Sequence, residues 1–114
     1  MPEPGAGGGE ALTAGTPGPS GRRLAAVPTV QVDNDRVRVT EWRFAPDAAT
    51  GWHRHDLDYV VVPLTSGRLG IRAADGETAA ELVAGHAYFR RRGVEHDVVN
   101  VNPHEFVFVE VEIR

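Results

Sequence analysis

The 114-residue sequence contains no cysteine, so disulfides, thiolate metal sites and cysteine nucleophiles are all excluded. It also lacks any apolar run approaching the about 20 residues that a membrane-spanning helix needs. Positive charge is not in surplus: 12 lysines and arginines face 16 aspartates and glutamates, for a net charge of −4. A nucleic-acid-binding domain of this size carries a strong basic excess. The richest basic run here, Arg90-Arg91-Arg92, is too short to track phosphates. Neither nucleic acid nor membrane is an expected partner.

The beginning of the chain is short of anything that builds a core. Residues 1–21 hold seven of the 13 glycines and four of the eight prolines, with Leu12 the only large aliphatic residue after Met1. Such a composition buries too little apolar surface to offset the entropy of ordering, so a disordered Gly/Pro-rich tail is expected over residues 1–24. The tail has no arginine or lysine before Arg22 and no apolar h-region. That argues against a secretory or transit peptide and makes the cytoplasm the expected location. Residues 25–114 are then one domain.

Helical periodicity is missing as well: no segment sustains a 3.6-residue apolar repeat over three turns. From residue 27 onward the pattern is that of strands, over 30–33, 36–44, 52–55, 59–64, 68–73, 78–83, 87–90, 96–101 and 106–113. Turn residues such as Asp33-Asn34-Asp35, Thr65-Ser66-Gly67, Asp75-Gly76 and Asn102-Pro103-His104 separate them. Within 36–44 the apolar side shifts from Val37 and Val39 to Trp42 and Phe44, which predicts a bulge near Thr40-Glu41. In 106–113, Val107, Val109, Val111 and Ile113 share one face and Phe106, Phe108, Glu110 and Glu112 the other. Short strands at near-regular spacing predict an all-β sandwich or barrel.

Three histidines stand out by their spacing. His53 and His55 are two apart, so on an extended strand both imidazoles leave by the same face. Two neutral imidazoles side by side in a mostly apolar barrel are poorly satisfied without a metal or other partners, and a divalent ion would take both. A third ligand from another strand would complete a facial set. His96, where a strand resumes after the Gly93 turn, is the candidate.

The surroundings of these histidines resemble the two motifs of the cupins. Residues 85–100, GHAYFRRRGVEHDVVN, match the second motif at Gly85, Gly93, His96 and Asn100, with Arg91 in place of its proline. Residues 51–67, GWHRHDLDYVVVPLTSG, are similar to the first motif through His53, His55 and Gly67. The stretches WHRHDLDYVVVPLTSG and YFRRRGVEHDVVN further resemble the small cupins named for β-alanine degradation. The resemblance implies a single jelly-roll β-barrel, or double-stranded β-helix, with a metal near its mouth. It also implies a homodimer, whose contact the 106–113 strand or the Val30 strand would supply.

One departure bears on the ligand set. The first cupin motif places a glutamate four or five residues beyond the second histidine, where this chain has Tyr59 and Val60. Asp58 is one position short and its side chain a methylene shorter. Two sets follow: His53, His55 and His96 with Asp58, or the three histidines alone. The second leaves the ion its full +2 charge and three open positions, which suits an anionic or chelating ligand and Lewis-acid or water-activating chemistry. Iron, manganese, nickel, copper and zinc are all compatible with histidine ligands, so the expected cofactor is a divalent transition metal of unspecified identity.

Tyr59 and Arg90 are the catalytic candidates. Tyr59 is either a hydrogen-bond donor to a small-molecule substrate or a packing residue. Arg90 is either a bidentate clamp for a carboxylate or a solvated strand end. Asn100 is expected to fix a turn or to support His96, Trp52 to join the core, and His86 and His104 to lie on the surface. The expected function is that of a metal-dependent enzyme, of oxygenase or isomerase type, acting on a small carboxylate or amine metabolite and linked to β-alanine degradation. The alternatives are a non-catalytic, metal-bound binding protein for small molecules and a barrel with vestigial histidines.

Overall fold

The structure is a computed structural model that describes residues 24–114. The tail expected over residues 1–24 lies, apart from Leu24, outside the described residues. Nine strands follow one another, with no helix among the described residues: β1 (Val27–Asp33), β2 (Val37–Phe44), β3 (His53–Arg54), β4 (Asp58–Pro63), β5 (Gly67–Ala73), β6 (Gly76–Leu82), β7 (Tyr88–Arg90), β8 (Glu95–Asn100) and β9 (Phe106–Ile113). They form two antiparallel sheets, ordered β1-β2-β9-β4-β7 and β3-β8-β5-β6. The last strand lies between β2 and β4, so the ends of the domain are locked together.

The inner faces of the two sheets meet in one core. The first sheet contributes Phe44, Tyr59, Val61, Phe106 and Phe108, and the second Leu69, Leu82 and Val98. Phe44 and Phe106 are wholly inaccessible to solvent, and the Phe44 and Phe108 rings sit 5.5 Å apart. Each such side chain contributes about 1.5–3 kcal/mol by leaving water. This is the all-β architecture the strand pattern pointed to, in the jelly-roll form the resemblance implied.

The expected bulge at Thr40-Glu41 is absent. β2 pairs without interruption with β9, from Val37↔Ile113 to Phe44↔Phe106. The irregularity lies instead in β1, between Val30 and Val32. Arg38, Thr40, Trp42 and Phe44 share one parity along β2, while Val37 and Val39 occupy the other side of the sheet, half-buried. The misleading feature is Arg38, a charged residue on the inward parity. Its Nε and Nη2 donate to Glu112 at 2.7 and 3.2 Å, which makes the position tolerable.

Candidate metal centre

β3 is only two residues long, yet it sets the register of the centre. It pairs with β8 so that His53 lies directly opposite His96 and Arg54 opposite Glu95. His55 follows immediately. Its backbone N–H donates to the Val94 carbonyl at 2.8 Å, and its own carbonyl accepts from Gly93 at 2.7 Å. Gly93 has φ +99°, a left-handed conformation that other side chains rarely adopt, and this turn delivers His96 to its place. Backbone hydrogen bonds thus bring three histidines from two chain segments together.

Their ring nitrogens converge. His53 Nε2 lies 3.0 Å from His55 Nε2, which lies 3.1 Å from His96 Nε2. Two imidazole nitrogens each about 2.1 Å from one ion are about 3.0 Å apart when they subtend a right angle, and about 3.4 Å apart at the tetrahedral angle. Both observed spacings match ligands that subtend a right angle at one ion. The tautomer of His53 is fixed by its neighbour. Nδ1 is 2.8 Å from the Gly51 carbonyl, which can only accept, so Nδ1 carries the proton and Nε2 presents its lone pair. Thr50 Oγ1, which donates to the same carbonyl and accepts from the Val98 N–H, holds this corner together.

The electrostatics agree with the geometry. Burial lowers the pKa of all three rings, His55 to about 2 and His96 to about 3. His53 and His96 repel charge on His55 further, as His53 and Arg90 do for His96. Neutral imidazoles with converging lone pairs are what a divalent transition ion needs, and these residues fit one.

The other candidates fall in different places. Asp58 is not brought to the histidines: its Oδ1 accepts the Arg92 backbone N–H at 2.8 Å, away from the cluster. Tyr59, fully buried, stacks its ring on His55 with centroids 3.9 Å apart, and burial pushes its hydroxyl pKa up. Arg90 lies over the Tyr88 ring at 4.7 Å from its centroid. Both Tyr59 and Arg90 line a cavity of about 340 Å³ that the three histidines also face. Trp52, expected in the core, is 55% exposed, because the inward side of β3 belongs to the histidines. Asn100 fixes a turn: its Nδ2 donates to the carbonyls of Phe44, Ala45 and His104. His86 and His104 are exposed, as expected.

No family model matches this sequence. The chain is 64% identical over 92 residues to the β-alanine degradation protein BauB of Pseudomonas aeruginosa, covering 81% of this chain and 97% of that protein. A cupin domain from Bordetella pertussis, solved by crystallography, superposes with a TM-score of 0.81 at 55% identity, covering 82% and 97% of the two chains. The chain is a small cupin. A double-stranded β-helix protein from Klebsiella pneumoniae shares the fold at 22% identity and a TM-score of 0.66, over 78% and 76% of the chains.

One residue beside this cupin's centre is absent from the candidates read off the sequence. Glu110 of β9 is 8% exposed, and its Oε2 lies 3.6 Å from His55 Nδ1. Burial, reinforced by Glu112, pushes its pKa up to about 8, with the Trp42 indole and Arg38 working against the shift. The signal was available in the alternation of β9. A face that buries Phe106 and Phe108 also turns Glu110 and Glu112 inward.

Proposed function

We propose that this cupin is a metal-dependent enzyme for a small carboxylate or amine metabolite, with one divalent transition ion held by His53, His55 and His96. The observation that carries the reading is the convergence of three neutral Nε2 atoms, 3.0 and 3.1 Å apart, at a cavity of about 340 Å³. When bound, such an ion supplies Lewis acidity and open coordination positions for substrate, water or oxygen.

The protein's own groups would select and hold the substrate. Val61, Leu69, Val98 and Phe108 line the cavity with apolar surface that excludes water. Arg90 has no carboxylate partner among the described residues, so its guanidinium is available to a substrate carboxylate at the mouth. Tyr59 keeps its phenolic proton at neutral pH and acts as a donor. The P. aeruginosa relative is named for β-alanine degradation, and β-alanine and acids of similar size fit this donor set.

The test is turnover. Metal-loaded protein is incubated with β-alanine and a panel of small carboxylates and amines, with and without oxygen, and substrate loss is followed by mass spectrometry. Consumption of one class, falling to background in His96→Ala, is the expected result. Saturable binding without product would make the protein a metal-bound binding protein instead.

A further inference from the structure

A divalent ion on three neutral imidazoles would place excess positive charge inside the barrel, where uncompensated charge is costly. Two buried carboxylates, Glu110 and Glu112, lie close to His55. Glu110 Oε2 lies 3.6 Å from His55 Nδ1, with both side chains at most one-tenth exposed. Two residues along β9, Glu112 is occupied by the Nε and Nη2 groups of Arg38. Among the described residues no cation pairs with Glu110 in that way.

His55 is constrained at every other point. Its backbone groups are bonded to Val94 and Gly93, its ring is stacked on Tyr59 at an interplanar angle of 15°, and its Nε2 faces His53 and His96. No hydrogen bond to Nδ1 is made among the described residues, and Glu110 is the group that faces it. At 3.6 Å the pair is in electrostatic contact rather than hydrogen-bonded. Closing it takes a side-chain movement of about 0.7 Å. His53 already has the equivalent support, from the Gly51 carbonyl.

We infer that Glu110 is a positioning residue in the metal-bound protein: with the ion in place its carboxylate takes the Nδ1–H of His55, holds the ring so that Nε2 faces the ion, and adds a negative charge just outside the ligand set. The inference rests on the three-histidine reading. Partners of this kind orient a ligating histidine and raise its basicity, and their loss typically costs about 10–100-fold in metal affinity.

The experiment is a cobalt(II) titration of metal-stripped full-length protein. Visible absorption and competition with a chelator give the dissociation constants of wild type, Glu110→Gln and Glu110→Asp. Glutamine keeps the size and an acceptor oxygen but removes the charge. A dissociation constant raised about 10–100-fold in Glu110→Gln, with shifted visible bands and partial recovery in Glu110→Asp, is the expected result. Binding within about threefold of wild type, with unchanged bands, would overturn the inference, since the expected loss is at least about tenfold. Wild-type protein that takes up no cobalt would instead remove the three-histidine reading, and this inference with it. Should Glu110→Gln fail to fold, the Nδ1–H proton of His55 in zinc-loaded wild type decides: a downfield-shifted, slowly exchanging proton supports the assignment, and one at the position of an unbonded imidazole N–H refutes it.

Discussion

The centre is a set of bases kept free of protons by their surroundings. His53, His55 and His96 are depressed below the usual histidine value, chiefly by burial. Without metal, the unfolded chain therefore binds protons below about pH 6.5 that the folded chain does not, so stability falls as the pH drops through that value. Glu110 works the other way. Its folded pKa of about 8 exceeds the unfolded value of 4.5, so its contribution is lost as the pH rises between them. Between pH 4.5 and 6.5 three histidines outweigh one glutamate, and above 6.5 the glutamate acts alone. Metal-free protein should thus be most stable near neutrality, with the steeper loss on the acid side. Urea midpoints measured across pH 4–9 give the profile, and His96→Gln should flatten the acid limb between pH 4.5 and 6.5 by about half. An acid limb unchanged in that variant would contradict the assigned burial of these rings.

At the scale of the element, the centre depends on strands that are short and a turn that is knotted. Asn100, at the end of β8, is wholly buried. Its amide donates to three carbonyls, and its Oδ1 accepts from the Asn102 backbone and side chain at 2.9 and 2.8 Å. It ties the β8–β9 turn to the end of β2. Asn100→Ala would leave those buried carbonyls unsatisfied and should cost about 2–4 kcal/mol in the urea-unfolding free energy. A loss below about 1 kcal/mol would mean that the turn holds itself. The same elements show what the sequence made legible. Two-residue alternation put His53 and His55 on one face and the paired phenylalanines of β9 on another. It also led Val37 and Val39 to be read as the inward face of β2, because residue type gives no hint that Arg38 is neutralised by Glu112, 74 positions away. Trp52 departs from its expected place for a related reason: in the segment around β3 the polar imidazoles of His53 and His55 face the barrel, and the apolar indole faces out.

For the whole molecule, the cupin barrel was readable because turn residues and motif spacings are local. The contacts that complete the centre were not, because they come from register. That His53 faces His96 follows from the β3–β8 pairing, and that Glu110 faces His55 follows from β9 lying beside β4. Asp58 illustrates the difference. It is nearest in sequence to the missing glutamate of the first cupin motif, yet in the fold it caps the Arg92 N–H. A carboxylate from the last strand, distant in sequence, stands near the histidines instead.

The most direct test of the three-histidine centre is elemental analysis of untagged protein as purified, alongside His53→Ala and His96→Ala. About one transition-metal ion per chain in the wild type, lost in both variants while their strand content by circular dichroism persists, is the expected result. Wild-type protein that stays far below stoichiometry even after reconstitution, or variants that retain their metal, would contradict it.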